Sequence, residues 1–182
     1  MNLFFLDADP KKCAEFHCDK HVVKMILELV QMLYTTHNVL KTGLHGYRSF
    51  NPQHPTCIWI RQCEANYIYA VNVAFYLCKE YTLRYNRIHT CEKHVNTLKE
   101  NVPDNFTPIV YKDTVVLSYN KKLQDIGCTP VPLAMYDDVK FPDTLKSYRM
   151  YYIVHKRRFA TWKNRPNPFW YTSGNYKLLL LS

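Results

Sequence analysis

Between Cys13 and Tyr34 the side chains that can do acid–base chemistry recur at three- and four-residue steps: His17, Lys20, His21, Lys24 and Glu28, then Gln31 and Thr35. That spacing gathers them on one side of an α-helix. Imidazoles, ammonium groups and one carboxylate within about three turns are the groups of general acid–base catalysis. Glu28 lies one turn beyond Lys24 and two turns beyond His21, so the three can face one groove. The bland alternative is a solvated face on which Lys24 and Glu28 form a weak surface pair. The same stretch also offers Cys13, His17, Cys18 and His21. With Cys13, His17 and His21 at i, i+4 and i+8, that set is an alternative metal site, although the Cys-x2-Cys pair of a structural zinc site is missing.

The helix carrying these groups has a second face. Val22, Met25, Ile26, Leu29, Val30 and Leu33 form an apolar stripe at the same steps, which predicts a core-facing side. Asp9 suits an N-cap and Pro10 the first helical position, so one long helix is expected from there to about Leu40. Upstream, Met1-Asn-Leu-Phe-Phe-Leu6 has no basic leader and reads as a short buried strand or extended segment rather than a signal peptide. A second long helix is expected from Thr56 to Asn86, with Ile58, Tyr67, Ala70, Val71, Ala74 and Leu77 inward and Arg61, Glu64, Lys79 and Arg84 outward. His54-Pro55 precedes it, either as a plain turn or lining the same groove as Glu28. A short helix spans Cys91 to Glu100.

From Asn101 to Asp143 the pattern changes. This stretch holds five of the ten prolines and the β-like runs Ile109-Val-Tyr111 and Thr114-Val-Val-Leu117, and predicts a long ordered loop with a hairpin. Asp143 caps a last helix to about Trp162. Lys146, Arg149, Lys156 and Arg157 share one side of it, and Tyr148, Tyr152, Phe159 and Trp162 another. A tail rich in cations, rings and prolines follows from Lys163 to the end at Ser182. The expected fold is therefore mainly α, a single-domain bundle of three long helices over residues 1–182, with a Pro-rich loop (101–143) between the second and last long helices and an aromatic and basic tail (163–182).

The chain has 182 residues and a formal net charge of +9, with 15% aromatic residues. A basic, aromatic-rich chain favours a polyanionic partner, and nucleic acid is the commonest. Phosphate contacts would come from Lys20, His54, Arg61, Arg84, Lys146, Arg149, Lys156, Arg157, Lys163 and Arg165; Trp162, Trp170 and Tyr171 would stack on bases or plug the core. With four glycines and no Gly-rich phosphate loop, no cofactor is expected. There is no apolar run long enough for a membrane span. Seven cysteines, an odd number, with no sign of secretion imply reduced thiols and an intracellular setting.

Asp19-Lys-His21-Val-Val-Lys-Met-Ile-Leu-Glu28 has the form Asp-x-His-aliphatic-x5-Glu. It resembles the first helix of the phage-type pyrimidine-dimer DNA glycosylases (endonuclease V) and their bacterial relatives. In the same order come His54-Pro, Trp59 opening a second helix that ends Lys79-Glu-Tyr-Thr-Leu-Arg-Tyr85, a third basic helix, and Trp162-Lys-Asn-Arg-Pro166 with an aromatic tail. The resemblance covers the three helices and the tail but not the 101–143 loop. It implies a compact helical fold that binds duplex DNA, flips a base and cuts the glycosylic bond at pyrimidine dimers or modified pyrimidines. In that chemistry an amine attacks the sugar C1′ and forms a Schiff base, and β-elimination then nicks the strand, an AP-lyase step. Carried over, Glu28 is the catalytic carboxylate and His21 the histidine beside it. The amine is that of Met1, an α-amine of pKa about 8, or Lys24. Two other classes remain: a nucleic-acid-binding module without chemistry, and a metal-dependent nuclease using His17, His21 and Glu28.

Overall fold

The computed structural model describes residues 2–171, and 51% of these described residues are helical. Seven α-helices are present among these residues: α1 (Pro10–Phe16), α2 (Asp19–Leu40), α3 (Pro55–Ile60), α4 (Glu64–Tyr85), α5 (Glu92–Glu100), α6 (Lys121–Asp125) and α7 (Thr144–Tyr151). The fold is mainly α, as its apolar periodicities predict. The stripe Val22, Met25, Ile26, Leu29, Val30 and Leu33 is buried, and α2 and α1 both pack on α4. One hydrophobic core reaches from Leu3 to Trp170. None of the described helices is long and apolar enough to cross a membrane.

Each of the three expected long helices is interrupted. The first breaks at His17 and Cys18, both in extended backbone. The break is stabilised by Arg84, whose Nη1 donates to His17 O and Nη2 to Glu15 O, satisfying carbonyls that the end of α1 leaves without partners. The second splits into α3 and α4 at Arg61–Cys63, where Asn66 Nδ2 reaches back to Trp59 O. In the last, Asp143 is the N-cap, accepting from the Lys146 amide at 2.7 Å. However, α7 gives way to a wide π-turn, Tyr152–Lys156, well before Trp162.

The 101–143 stretch is an ordered cover. Its strands are Leu117–Ser118 (β1) and Val131–Pro132 (β2), antiparallel with Leu117 opposite Pro132; residues 109–111, expected as part of a hairpin, are not in a strand. The cover is fastened to α3 and α4 by Trp59 Nε1 donating to Thr129 O and by Asn66 bonding Thr129.

The N-terminal segment is the piece around which the site is built. Leu3, Phe4, Phe5 and Leu6 are all at most 5% exposed. Phe4 stacks on His21 of α2, and Arg149 Nε of α7 donates to Leu6 O. The segment therefore lies between α2 and α7, with Asn2 at its far end.

Candidate active site

Glu28 sits in the middle of α2 with its side chain 12% exposed. Its Oε2 accepts the backbone N–H of Asn2 at 3.1 Å. Its Oε1 lies 3.1 Å from Lys24 Nζ, one turn away, and that lysine side chain is 69% exposed. Asn2 is held from several sides. Its Nδ2 donates to Ala134 O at 3.0 Å, and its Oδ1 accepts from Thr56 Oγ1 of α3 and Tyr148 Oη of α7, both at 3.4 Å. The first described residue of the chain is thus tied to α2, α3, α7 and the loop after β2. Met1, the candidate amine, lies outside the described residues.

His54 completes the rim. Its Nδ1 accepts the Thr56 amide and caps α3, with Pro55 in the first helical position. Burial lowers its pKa, and the nearby Glu28 charge pulls in the opposite direction. The expected turn is therefore present.

His21 is not in the groove expected for it. It is 7% exposed and stacks on Phe4 with ring centroids 4.4 Å apart. Its Nδ1 bonds Tyr152 Oη at the start of the π-turn, a distortion often found at functional sites. Burial pushes its pKa down to about 3, helped by His17 and by the charges of Lys156 and Lys24. At neutral pH it is an uncharged imidazole locked in an aromatic cluster, a positioning group rather than a proton donor. The alternative metal set is not assembled either. Cys13 Sγ donates to Phe4 O, and His17 Nδ1 bonds Cys13 O. The break after α1 removes the common helical face, and no group of three His, Cys, Asp or Glu among the described residues could hold a metal ion. That geometry argues against the His17, His21 and Glu28 nuclease as well.

Of the expected phosphate contacts, four cations point elsewhere. Arg84 is 1% exposed and all five of its N–H groups are engaged, by Glu80, Asp19, His17 O and Glu15 O. Arg165 pairs with Glu80 and Glu15. Arg149 bonds Leu6 O and Asp7. Arg61 is 5% exposed, with Nη1 on Pro52 O. Trp162 is buried, its Nε1 donating to Phe16 O, and Trp170 is buried as well, so both fill the core rather than stacking on bases. Thr35, assigned to the polar face of α2, is buried and receives the Phe50 amide.

Of the cations still facing solvent or half-exposed, three lie around the His21 cluster. Lys20 lies over Phe159 and Lys156 over Tyr151, 5.0 and 4.4 Å from the ring centroids. Together with Lys24 they surround the cluster that buries His21. Arg157 and Lys163 are exposed further along the same C-terminal stretch, and Lys146 is half-exposed over Phe141. The residues missed by sequence reasoning are Asn2, Phe4 and Tyr152. A lone polar residue at the head of an apolar segment is the signal for Asn2; for Tyr152, one tyrosine among 15, there is none.

No protein-family model matches the chain, no curated protein is similar to it, and no solved structure matches its fold. The class of protein rests on the structure itself: a mainly α protein with a carboxylate under a fastened N-terminal segment.

Proposed function

We propose that this protein is a DNA glycosylase with AP-lyase activity, acting on pyrimidine dimers or modified pyrimidines through an amine and Glu28. The observation that carries this reading is the 3.1 Å hydrogen bond from the Asn2 amide to Glu28. Covalent geometry alone keeps the nitrogen of residue 1 within about 3.6 Å of that amide nitrogen. An α-amine one residue before that amide is the first candidate, and Lys24 Nζ, 3.1 Å from Glu28 Oε1, is the second.

The chemistry requires such a pair. A neutral amine attacks C1′, and the electrons of the glycosylic bond leave with the base, which takes up a proton. The amine then loses a proton as C1′–O4′ opens and O4′ gains one, leaving an iminium between enzyme and sugar. A carboxylate beside the amine can take the first proton and deliver the second, and it stabilises the cationic sugar meanwhile. Loss of a C2′ proton then expels the 3′ phosphate. Lys24 beside Glu28, with Lys20 and Lys156 at the His21 cluster on the same helix side, supplies the cationic surface that a duplex requires.

Borohydride trapping tests the reading. A panel of duplexes carrying a pyrimidine dimer, a modified pyrimidine, an abasic site or no lesion is incubated with the protein and reductant. A covalent adduct at the dimer or modified base is expected, mapping to residue 1 or Lys24. Glu28→Gln should abolish turnover and leave binding intact. Tight binding with no adduct and no base release on any duplex would instead identify a binding module.

A further inference from the structure

A recess lies beside the turn that carries His54. It is a cavity of about 340 Å³ between α3 and the strip 109–112, bounded by Gln53, Ile58, Arg61, Val110, Tyr111 and Lys112 among others. Arg61 is the decisive residue. It is 5% exposed, and only its Nη1 has an acceptor, Pro52 O at 2.6 Å. Its Nε is fully buried with no hydrogen-bond partner. No carboxylate lines the cavity among the described residues. A buried guanidinium is normally matched by a negative charge, because removing it from water without one is costly. Its partner in the other buried guanidinium of this fold is plain to see, since Arg84 has Glu80 and Asp19.

The rest of the wall is chemically specific. Lys112, exposed at the mouth, adds a second cation. Tyr111 presents a fixed ring, its hydroxyl held between Pro55 O and Gln62 Oε1 at 3.4 and 3.3 Å. Ile58 and Val110 are apolar. A cation at the base, a cation at the rim and a flat ring between them match a phosphate with a sugar and base attached. We propose that this cavity is a nucleotide-phosphate site, in which Arg61 and Lys112 bind phosphate oxygens and Tyr111 with Ile58 packs against the nucleoside. The charge balance that calls for the anion does not depend on glycosylase chemistry at Glu28. The same phosphate could belong to a free mononucleotide or to one residue of a strand.

Calorimetric titration with inorganic phosphate, thymidine monophosphate and a five-residue oligothymidylate tests it. Saturable binding of all three is expected. Arg61→Met should weaken it about tenfold or more, the scale of a lost charge-assisted hydrogen bond. Val110→Glu sets a carboxylate on a residue that is 95% exposed and should weaken binding about threefold or more by like-charge repulsion. That variant disturbs no buried group, so it decides the matter even if Arg61→Met fails to fold. Glu28→Gln should bind all three unchanged, and sensitivity to Val110→Glu, a substitution on this cavity's own wall, separates this site from the reactive one. Tighter binding of the oligomer than of the mononucleotide, with the same sensitivity to Val110→Glu, assigns the phosphate to a strand; equal binding assigns it to a free nucleotide. No saturable binding to the unaltered protein, binding that neither Arg61→Met nor Val110→Glu weakens, or acetate binding as tightly as phosphate would overturn the proposal.

Discussion

Asp19 and Glu28 stand on the same helix, about 13 Å apart along its axis by helical rise, yet their surroundings differ in kind. Asp19 accepts from Arg84 Nη1, from Thr161 Oγ1 and from the Lys163 amide. Behind it Arg84 meets Glu80, and Glu80 meets Arg165. This network joins the end of α1, the start of α2, the end of α4 and the C-terminal segment. Glu28 faces a backbone amide at the head of the chain and a lysine whose side chain is 69% exposed. The first carboxylate is immobilised inside a web of protein groups, while the second stands between the chain's own beginning and a solvent-facing cation. Residues that read together in sequence as one motif thus divide into a structural anchor and a candidate reactive group.

The sharpest break between the two regions is a pair of substitutions. Arg84→Met should destabilise the fold by about 3–5 kcal/mol, because it leaves buried carboxylate and carbonyl groups without their donor. Glu28→Gln should cost about 1 kcal/mol or less, keeping the shape of the side chain and forfeiting a pair with an exposed lysine, while removing turnover. Urea denaturation followed by circular dichroism, beside the trapping assay, measures both. If Glu28→Gln unfolds the protein as strongly as Arg84→Met, the division is wrong.

A second effect separates the regions by pH. His17 and His21 have pKa values pushed down by burial to about 4 and about 3, and His37, also buried, is lowered to about 4. The unfolded chain takes up these protons near pH 6.5; the folded chain does not until the pH is far lower. Their contribution to stability is therefore complete above about pH 6.5 and is lost as the pH falls toward 4, by up to about 1.4 kcal/mol per pH unit for each group. His17 shows the cause. Its Nδ1 bonds Cys13 O, and its Nε2 is buried with no partner, so a second proton would have no acceptor. Urea midpoints at pH 7.5, 6 and 5 should fall in that order, and His17→Gln should flatten the decline. A midpoint that rises on acidification would contradict the buried, neutral state of these rings.

These comparisons also mark what could be read without coordinates. The inward stripe of α2 was legible because a 3.6-residue period leaves few other ways to bury six apolar side chains, and Asp9 and Asp143 were legible caps because their side chains act within a few residues of themselves. The breaks were not legible. The bend at His17 depends on Arg84, 67 positions away in sequence, and no local propensity reports such a contact. Arg84 and Arg61 read as outward cations because charge predicts exposure in general; their burial depends on tertiary partners. Glu28 was legible as one member of a polar row, but its partner Asn2 lies 26 residues upstream. His21 shares that row and nevertheless turns into the core, because Phe4 and Tyr152 close over it.

Asn2 gives a smaller and more pointed test. Asn2→Ala removes the side-chain bonds to Ala134, Thr56 and Tyr148 while leaving the backbone amide that meets Glu28. A cost of about 1–2 kcal/mol is expected, part of it from polar groups left buried without partners. Trapping yield should fall more than binding does, because the amide would no longer be held against the carboxylate. An adduct formed at full rate by Asn2→Ala would show that fastening the segment is irrelevant to the chemistry and would favour Lys24 over residue 1.

The smallest expected effect concerns the cations around the His21 cluster. Lys20→Ala removes an exposed ammonium group that lies over Phe159 and should leave stability within about 0.5 kcal/mol. If Lys20 meets a DNA phosphate, the substitution should weaken binding to all duplexes alike and reduce the slope of log affinity against log salt by about one unit. Arg165→Ala supplies the contrast, because its guanidinium is engaged with Glu80 and Glu15; it should lower stability and leave the salt slope unchanged. Fluorescence anisotropy of one labelled duplex at several salt concentrations, repeated for both variants, measures the difference. Equal slopes for Lys20→Ala and the unaltered protein would move the duplex away from the His21 cluster, whereas a reduced slope for Arg165→Ala would show that its ion pairs open to admit phosphate.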